Sequence, residues 1–255
     1  MGFYYQQDPR SWPTLPEAVR AVLAVDASLG VEVGDAKALN GSPVEGNELS
    51  ALIDACADAA YTTVHARMGF WNWNPIHLRQ EIDFAHQLGA QTLVLHSACF
   101  GLVRDDDRPD WPEIIRIAQY AAARNVRLAM ENLKDCIWVL DRILDEVGDD
   151  PEETNLGICI DIGHANLSED AGRHPVTNYL ERYAGQLIHL HLHDNYGKND
   201  DHSLPGVGTV DWQNVLDVLK KLAYSGTAVL ETRQLGISQI ENIKQALTYY
   251  RQNGF

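Results

Sequence analysis

The chain has 255 residues, of which 45% are hydrophobic and 22% charged, a composition typical of soluble globular proteins. Its length suits a single domain over residues 1–255 with a barrel-sized core. The formal net charge of -16 excludes extended binding to a nucleic-acid backbone as the default, because such binding needs a surplus of lysine and arginine.

The predicted elements alternate along the whole chain, with extended apolar segments separated by amphipathic ones. Strands are predicted near residues 2–5, 30–34, 61–66, 91–97, 126–131, 156–161, 187–193 and 226–231. Helices are predicted near residues 15–27, 48–59, 75–88, 111–124, 137–147, 176–184, 212–222 and 239–252. Eight strands alternating with eight helices predict a parallel sheet with right-handed crossovers, closed into a (β/α)8 TIM barrel.

Glycines mark two of the expected helix ends, at Gly89 and Gly226. The first ten residues lack the basic-then-apolar order of a signal peptide, and no run approaches the ~20 apolar residues of a membrane span. We therefore expect a cytoplasmic protein that does not bind membranes. The four cysteines are widely spaced without a CxxC pair, which predicts buried free thiols at Cys56, Cys99, Cys136 and Cys159.

Six apolar runs end on a residue that can hold a metal ion. These strand-end residues are His65, His96, Glu131, Asp161, His191 and Glu231. In a TIM barrel the chemistry lies where the strands end, so the six side chains are expected to converge. A single one could be structural, but six strands that all stop on residues rarely buried without partners predict a functional site.

Three further residues are expected to face the same space. His164 follows Asp161 by one turn, in the loop that begins DIGH. Asp200 and His202 lie in a long loop after the seventh strand, where Gly206 and Gly208 allow a tight return over the site. The alternative for this loop is a solvated acidic turn.

The seventh strand carries three histidines on one face, because its residues alternate in direction. Of His189, His191 and His193, we expect only His191 at the height of a metal ion. His189 is then predicted lower in the barrel. His193 is predicted to support the metal site from behind or to contact the substrate.

Electrostatic repulsion favours a cation at this site. Glu131, Asp161 and Glu231 would repel one another unless protons or cations intervene, and a divalent ion neutralises such a cluster. Three carboxylates with one imidazole suit manganese, magnesium or cobalt, and also zinc.

These motifs resemble those of the xylose isomerase-like TIM-barrel superfamily, which contains sugar isomerases and epimerases as well as endonuclease IV. The resemblance covers nearly the whole chain from the third strand onward. It is carried by VHA at 64–66, LH at 95–96, EN at 131–132, CIDIGHAN at 159–166, HLHD at 191–194, DDHSLPGVG at 200–208 and LET at 230–232.

Similarity to the ketose epimerases implies one divalent ion on Glu131, Asp161, His191 and Glu231. The ion would chelate an open-chain sugar and stabilise an enediolate. Glu131 and Glu231 would move the proton, and His164 would touch the substrate.

Similarity to endonuclease IV implies instead a phosphodiesterase with three zinc ions. The first would be held by His65, His96 and Glu131, and the second by the four residues of the epimerase site. His164, Asp200 and His202 would hold the third. The acidic charge balance argues against this alternative.

Residues near the expected mouth offer substrate contacts. Trp71 and Trp73 could form an aromatic wall against a sugar, or could simply pack on a helix start. Arg233 could anchor a phosphate or carboxylate, as could Arg67, although such residues often pair with a neighbouring acid. A homo-oligomer is possible. A binding protein with a relict site is the third hypothesis, and it leaves a costly carboxylate cluster without a purpose.

Overall fold

The computed structural model describes residues 2–4, 14–34, 44–66, 73–134, 137–168, 175–233 and 236–254. Eight parallel strands form a closed barrel in chain order, in which β1 pairs with both β2 and β8. The strands are β1 (Gly2–Tyr4), β2 (Gly30–Gly34), β3 (Thr62–His65), β4 (Thr92–His96), β5 (Arg127–Glu131), β6 (Leu156–Asp161), β7 (Leu187–Leu192) and β8 (Thr227–Leu230). The predicted TIM barrel is therefore confirmed.

Helices follow the strands around the outside. They are α1 (Leu15–Leu23), α2 (Gly46–Ala57), α3 (Pro75–Gln87), α4 (Trp111–Ala122), α5 (Trp138–Val147), α6 (Pro151–Thr154), α7 (Ile162–Leu167), α8 (Val176–Arg182), α9 (Trp212–Lys221) and α10 (Gln239–Gln252). A 3-10 turn, Ser97–Phe100, follows β4. The eight predicted helices are present, but α6, α7 and the 3-10 turn were not predicted, because they are too short to show a helical period.

The α7 helix corrects one detail of the sequence analysis. His164 was expected in a loop, whereas it lies inside this helix. Asp161 ends β6 and also caps α7, since its Oδ1 atom accepts a hydrogen bond from the His164 amide at 2.7 Å. The helix thereby fixes His164 relative to Asp161.

The alternating strand residues separate two kinds of interior. Those that point outward, such as Leu93, Leu128 and Ile160, belong to the large apolar core between the barrel and the helices. Inside the barrel, Val94, Ala129 and Cys159 form a small separate apolar cluster. Because these three side chains are small, the barrel interior has room for larger polar side chains above and beside them.

One predicted helix end needs correction. Gly89 has the left-handed φ of 68° expected just after α3, as predicted. Gly226, however, does not end α9. The left-handed residue there is Ala223, with a φ of 49°. A side chain at Gly226 would instead meet the Ile188 carbonyl oxygen at 2.6 Å, so this glycine permits close packing.

The amino-terminal end of the barrel is closed by an aromatic ring. Tyr61 precedes β3 and lies so close to Gly30 that an added Cβ would meet the ring at 2.6 Å. Its hydroxyl donates to the Ala228 carbonyl of β8 at 2.9 Å. One side chain thus links β2, β3 and β8 at the end opposite the strand termini named above.

Within the described residues, no helix has the length and apolar character required to cross a membrane. The thiols of Cys56, Cys99 and Cys159 are free and buried, as expected, while Cys136 lies outside the described residues.

Replacing Tyr61 with Phe is expected to lower the free energy of unfolding by about 1 kcal/mol, because it removes one net hydrogen bond. Denaturant titration measures this change. Metal binding at the other end of the barrel should stay as in the wild type. An unchanged stability would contradict the assigned hydrogen bond.

Candidate metal centre

The six strand-end residues meet at the carboxyl-terminal rim of the barrel. All six are buried: His65, His96, Glu131, Asp161, His191 and Glu231. Strand pairing aligns neighbours directly, since His96 is opposite Glu131 in the β4–β5 pair and Asp161 is opposite His191 in the β6–β7 pair. Glu231 follows β8 by one residue. The register of a closed barrel therefore brings together residues that are far apart in sequence.

Three carboxylates converge on one imidazole nitrogen. The Nδ1 atom of His191 lies 3.2 Å from Glu131 Oε1 and 3.3 Å from Glu231 Oε1. The same nitrogen lies 3.8 Å from Asp161 Oδ2. Four potential ligand atoms thus surround one small volume, which is the arrangement that a single divalent ion requires.

Glu131 joins this volume to a second one. Its Oε2 atom lies 3.0 Å from His65 Nε2 and 2.9 Å from His96 Nε2, while its Oε1 atom faces His191 and His164. The His96 contact lacks the geometry of a hydrogen bond. The carboxylate is therefore in position to bridge two cations.

The orientation of the imidazoles fits metal ligation. The Nδ1 atom of His65 hydrogen-bonds the adjacent backbone carbonyl at 2.8 Å, so its Nε2 lone pair faces Glu131. In the same way, His202 Nδ1 hydrogen-bonds the Glu231 carbonyl at 2.8 Å and leaves Nε2 facing Asp200. A lone pair and a carboxylate oxygen face each other stably only with a proton or a cation between them. The donor set thus fits a divalent metal.

A third group of ligand atoms lies beside α7. His164 Nε2 is 3.2 Å from Asp200 Oδ2, and His202 Nε2 is 3.5 Å from Asp200 Oδ1. Among the described residues, sets of possible ligands within 4.8 Å of one another include His65–His96–Glu131, Asp161–His164–His193 and His193–Asp200–His202. All nine predicted metal-ligating residues are therefore in or next to such a group.

His193 lies against Asp161 and His202 at the edge of the site. It is completely buried, and its Nε2 atom lies 3.0 Å from Asp161 Oδ1. Its ring stacks on His202 with 4.1 Å between the centroids. A side chain at Gly163 would meet the His193 ring at 1.9 Å, so the glycine of the DIGH motif makes room for this histidine.

Asp194 holds the loop that carries Asp200 and His202, a role the sequence analysis missed. It accepts hydrogen bonds from the amides of Asn195, Gly206, Gly208 and Val210 and from the indole of Trp212. A Cβ at Gly208 would meet the Asn195 carbonyl oxygen at 2.1 Å, so the return of the loop requires that glycine. Its signals in the sequence were its position two residues after β7 and its place in the HLHD motif at 191–194.

Glu32 is the second residue that the sequence analysis missed. It lies in the middle of β2 and is 2% exposed. Its carboxylate contacts His189 and His191 from below. His189 also lies lower in the barrel, as predicted, with its Nδ1 atom 2.5 Å from Thr227 Oγ1. The signal for Glu32 was an acidic residue between two valines of a buried strand.

Of the four residues predicted at the mouth of the barrel, the structure describes Arg233 and Trp73. Arg233 is exposed just beyond Glu231, and its amide donates to the His202 carbonyl. Trp73 packs edge-to-face on Phe100, the last residue of the 3-10 turn, with 6.2 Å between the ring centroids. Trp71 and Arg67 lie outside the described residues.

The buried carboxylates and histidines of this site shift each other's pKa values toward the charged forms. Burial alone would raise the pKa of the Glu131 carboxyl, but the positive charge of neighbouring histidines holds it well below its ordinary value. Burial would lower the pKa of His65, yet its hydrogen bond to Glu131 raises it to about 9. The pKa of His202 is likewise raised to about 9, because the nearby carboxylates of Asp200 and Glu231 outweigh burial. The carboxylates and imidazoles of this cluster therefore stabilise each other's charged forms.

The fold is a TIM barrel, and its carboxyl-terminal rim gathers side chains that could hold a metal ion. Residues 30–253 match the family described as xylose isomerase-like TIM barrel. The chain belongs to this family.

One curated relative is an uncharacterised protein of Methanocaldococcus jannaschii, 28% identical over 166 residues, which cover 62% of this chain and 56% of that protein. The chain spans about half the length of this relative and of a second one from Sinorhizobium fredii.

Two solved structures share the fold. An L-ribulose 3-epimerase is 15% identical, with a TM-score of 0.75 over 99% of this chain and 93% of that chain. A 3-keto-D-glucoside 4-epimerase from E. coli is 16% identical, with a TM-score of 0.70 over 98% of each chain.

Cation binding should strengthen as the pH rises toward about 9, the pKa of His65, because the protonated His65 imidazole pairs with Glu131 and repels a cation. Calorimetric titration in buffers of different ionisation enthalpy measures both the affinity and the protons released. An affinity that falls or stays flat from the ordinary histidine pKa of 6.5 up to about 9 would contradict this assignment.

Proposed function

We propose that this protein is a divalent-metal-dependent enzyme that isomerises or epimerises a sugar, a sugar phosphate or a polyol-derived substrate. One cation, manganese, magnesium, cobalt or zinc, would be held by Glu131, Asp161, His191 and Glu231. The observation that carries this proposal is the approach of three carboxylates to within 3.2 to 3.8 Å of the His191 Nδ1 atom.

A catalytic role accounts for this cluster better than a purely structural one. Buried carboxylates repel one another and lose hydration, so a fold that needed only stability would replace them with apolar side chains. The printed names of the two similar structures, both sugar epimerases, support a small sugar as the substrate class.

The reaction would be a proton transfer at carbon. A bound divalent cation supplies positive charge that stabilises the negative charge developing on neighbouring substrate oxygens. A carboxylate of the protein removes the proton from the carbon beside the carbonyl, and the electron pair of that C–H bond moves toward the carbonyl oxygen. Return of a proton to the opposite face of the same carbon gives the epimer. Return to the neighbouring carbon, with the hydroxyl proton of the first carbon passing to the former carbonyl oxygen, gives the isomer.

The two proposed catalytic carboxylates differ in their exposure to solvent and in the number of histidines that contact them. Glu131 is 1% exposed, and both its oxygens are occupied by imidazoles. Glu231 is 7% exposed, and among the ion pairs of the described residues its carboxylate contacts His191 and His202. We therefore assign the first proton abstraction to Glu231. Glu131 would act on the inner side of the substrate.

The remaining predicted contacts belong to the proposal as well. His164 lies within 3.6 Å of carboxylate oxygens of Glu131, Asp161 and Asp200, and it would hydrogen-bond a substrate hydroxyl. Arg233 is exposed beyond β8 and would anchor a phosphate or carboxylate. Trp71 would pack against the sugar, and His193 would act through Asp161. A cytoplasmic location and a homo-oligomer remain predictions from the sequence.

A second candidate function is phosphodiester hydrolysis with three zinc ions, as in endonuclease IV. The flanking ligand groups His65–His96–Glu131 and His193–Asp200–His202 favour it, because they offer separate places for additional ions. The formal net charge of -16 disfavours it, since a duplex binds basic surfaces.

Glu231→Gln should retain the fold and lower turnover by at least about 10²-fold, because an amide cannot accept the proton. The measurement is deuterium incorporation at carbon, followed by NMR in heavy water with a panel of ketoses. Glu181→Gln is the matched control, since Glu181 lies on the surface beside Lys221 at 3.1 Å and should exchange as the wild type does. Undiminished exchange in Glu231→Gln would exclude the proposed base.

Counting bound metal separates the two candidate functions. One ion per chain is expected from elemental analysis after metal loading, and His65→Ala or His96→Ala should reduce activity only mildly. His86→Ala, a surface histidine on α3, is the control for the substitution itself. Three ions per chain together with cleavage of abasic DNA would contradict the isomerase function and support the nuclease function.

A further inference from the structure

A polar group lies beneath the candidate metal centre, inside the barrel. Glu32 of β2 has a fully buried side chain and is not among the expected metal ligands. Burying a carboxylate costs several kcal/mol unless it is paired and hydrogen-bonded. A carboxylate at this level therefore needs a function in the site above it or a set of partners around it.

One oxygen of Glu32 is anchored by two partners. Its Oε2 atom accepts a hydrogen bond from the Thr63 hydroxyl at 2.8 Å and lies 3.1 Å from His189 Nε2. His189 Nδ1 is 2.5 Å from the Thr227 hydroxyl. Both contacts fit the His189 tautomer with the proton on Nε2. In that tautomer Nδ1 accepts a hydrogen bond from the Thr227 hydroxyl, and Nε2–H donates one to Glu32.

The other oxygen of Glu32 faces the candidate metal ligand. Its Oε1 atom lies 3.2 Å from His191 Nε2. Among the described residues, neither of these two buried atoms has a hydrogen bond to any other group. The buried Cys159 thiol also lies beside His191, but among the ion pairs of the described residues Glu32 provides the carboxylate that faces Nε2.

The opposite nitrogen of His191 points into the metal centre. Nδ1 lies 3.2 Å from Glu131 Oε1 and 3.3 Å from Glu231 Oε1. A proton held on Nε2 by Glu32 leaves the Nδ1 lone pair free for a cation. Carboxylates behind metal-binding histidines fix both the tautomer and the ring orientation in this way.

We propose that Glu32 is a positioning residue that holds the His191 imidazole with Nε2 protonated and Nδ1 directed at the cation. This inference rests on the proposed function, because it assumes that His191 binds the metal. Thr63 and His189 serve it indirectly, by fixing the Glu32 carboxylate. Glu32 would not touch the substrate or the ion.

The test is titration of the metal-free protein with Co²⁺ alone, read by its visible absorption and by calorimetry. Glu32→Gln should raise the Co²⁺ dissociation constant about 10- to 100-fold. The glutamine amide can donate a hydrogen bond to His191 Nε2, which favours the tautomer with the proton on Nδ1, where the cation would bind. Glu32→Asp keeps the charge but withdraws the carboxylate by one methylene, so it should weaken binding as well.

A double-substitution cycle separates positioning from general destabilisation. In a His191→Ala background, Glu32→Gln should cause no further loss of Co²⁺ affinity, because its effect runs through His191. Tyr120→Phe is the stability control: it removes the hydrogen bond from α4 to Asp83 of α3, outside the barrel, and should leave Co²⁺ affinity unchanged.

Several results would overturn the inference. Wild-type Co²⁺ affinity in Glu32→Gln would do so, and so would wild-type affinity in Glu32→Asp, which would show that charge alone suffices. If Glu32→Gln does not fold, Glu32→Asp and the cycle built on it decide the matter. Additive losses in the His191→Ala background would also refute it. Absence of Co²⁺ binding by the wild type would instead overturn the proposed metal-dependent function, and this inference with it.

Discussion

Mutual repulsion among buried carboxylates is the constraint on which this structure depends. Glu131, Asp161 and Glu231 each lie within 3.8 Å of one imidazole nitrogen, deep in the rim of a barrel where water cannot screen them. Only positive charge stabilises such a group, whether as protons on the surrounding histidines or as a metal ion. The fold surrounds the carboxylates with imidazoles, which can carry such protons or serve as ligands of an ion.

The closed barrel creates this constraint through its register. Parallel pairing sets His96 beside Glu131 and Asp161 beside His191, and closure between β1 and β8 completes the ring. Small interior side chains lower down, at Val94, Ala129 and Cys159, leave space for the Glu32–His189 pair beneath the rim. Glu32 contacts His191 from below, and Glu131 contacts His65 and His96 from the side. These contacts hold the possible ligand atoms in place without an ion. Such preorganisation is what an electrostatic catalyst needs.

Much of this arrangement could be predicted from the sequence, because its signals are local. Apolar runs that stop on His, Asp or Glu mark strand ends, and the alternation of strands with amphipathic segments predicts the barrel that gathers them. Glu32 escaped prediction because it lies in the middle of a strand, where only the closed fold shows that it faces His191. The partners of Asp194 lie up to 18 residues away, so its role depends on a loop conformation that no period reveals. The short helix α7 likewise offers too few residues for a periodic signal.

The most direct measurement of the central claim is anomalous scattering from a crystal of the wild-type protein soaked in a zinc salt. A peak about 2.0–2.2 Å from ligand atoms of Glu131, Asp161, His191 and Glu231 is the predicted result. Zinc bound only elsewhere, with those four side chains paired among themselves, would contradict the account.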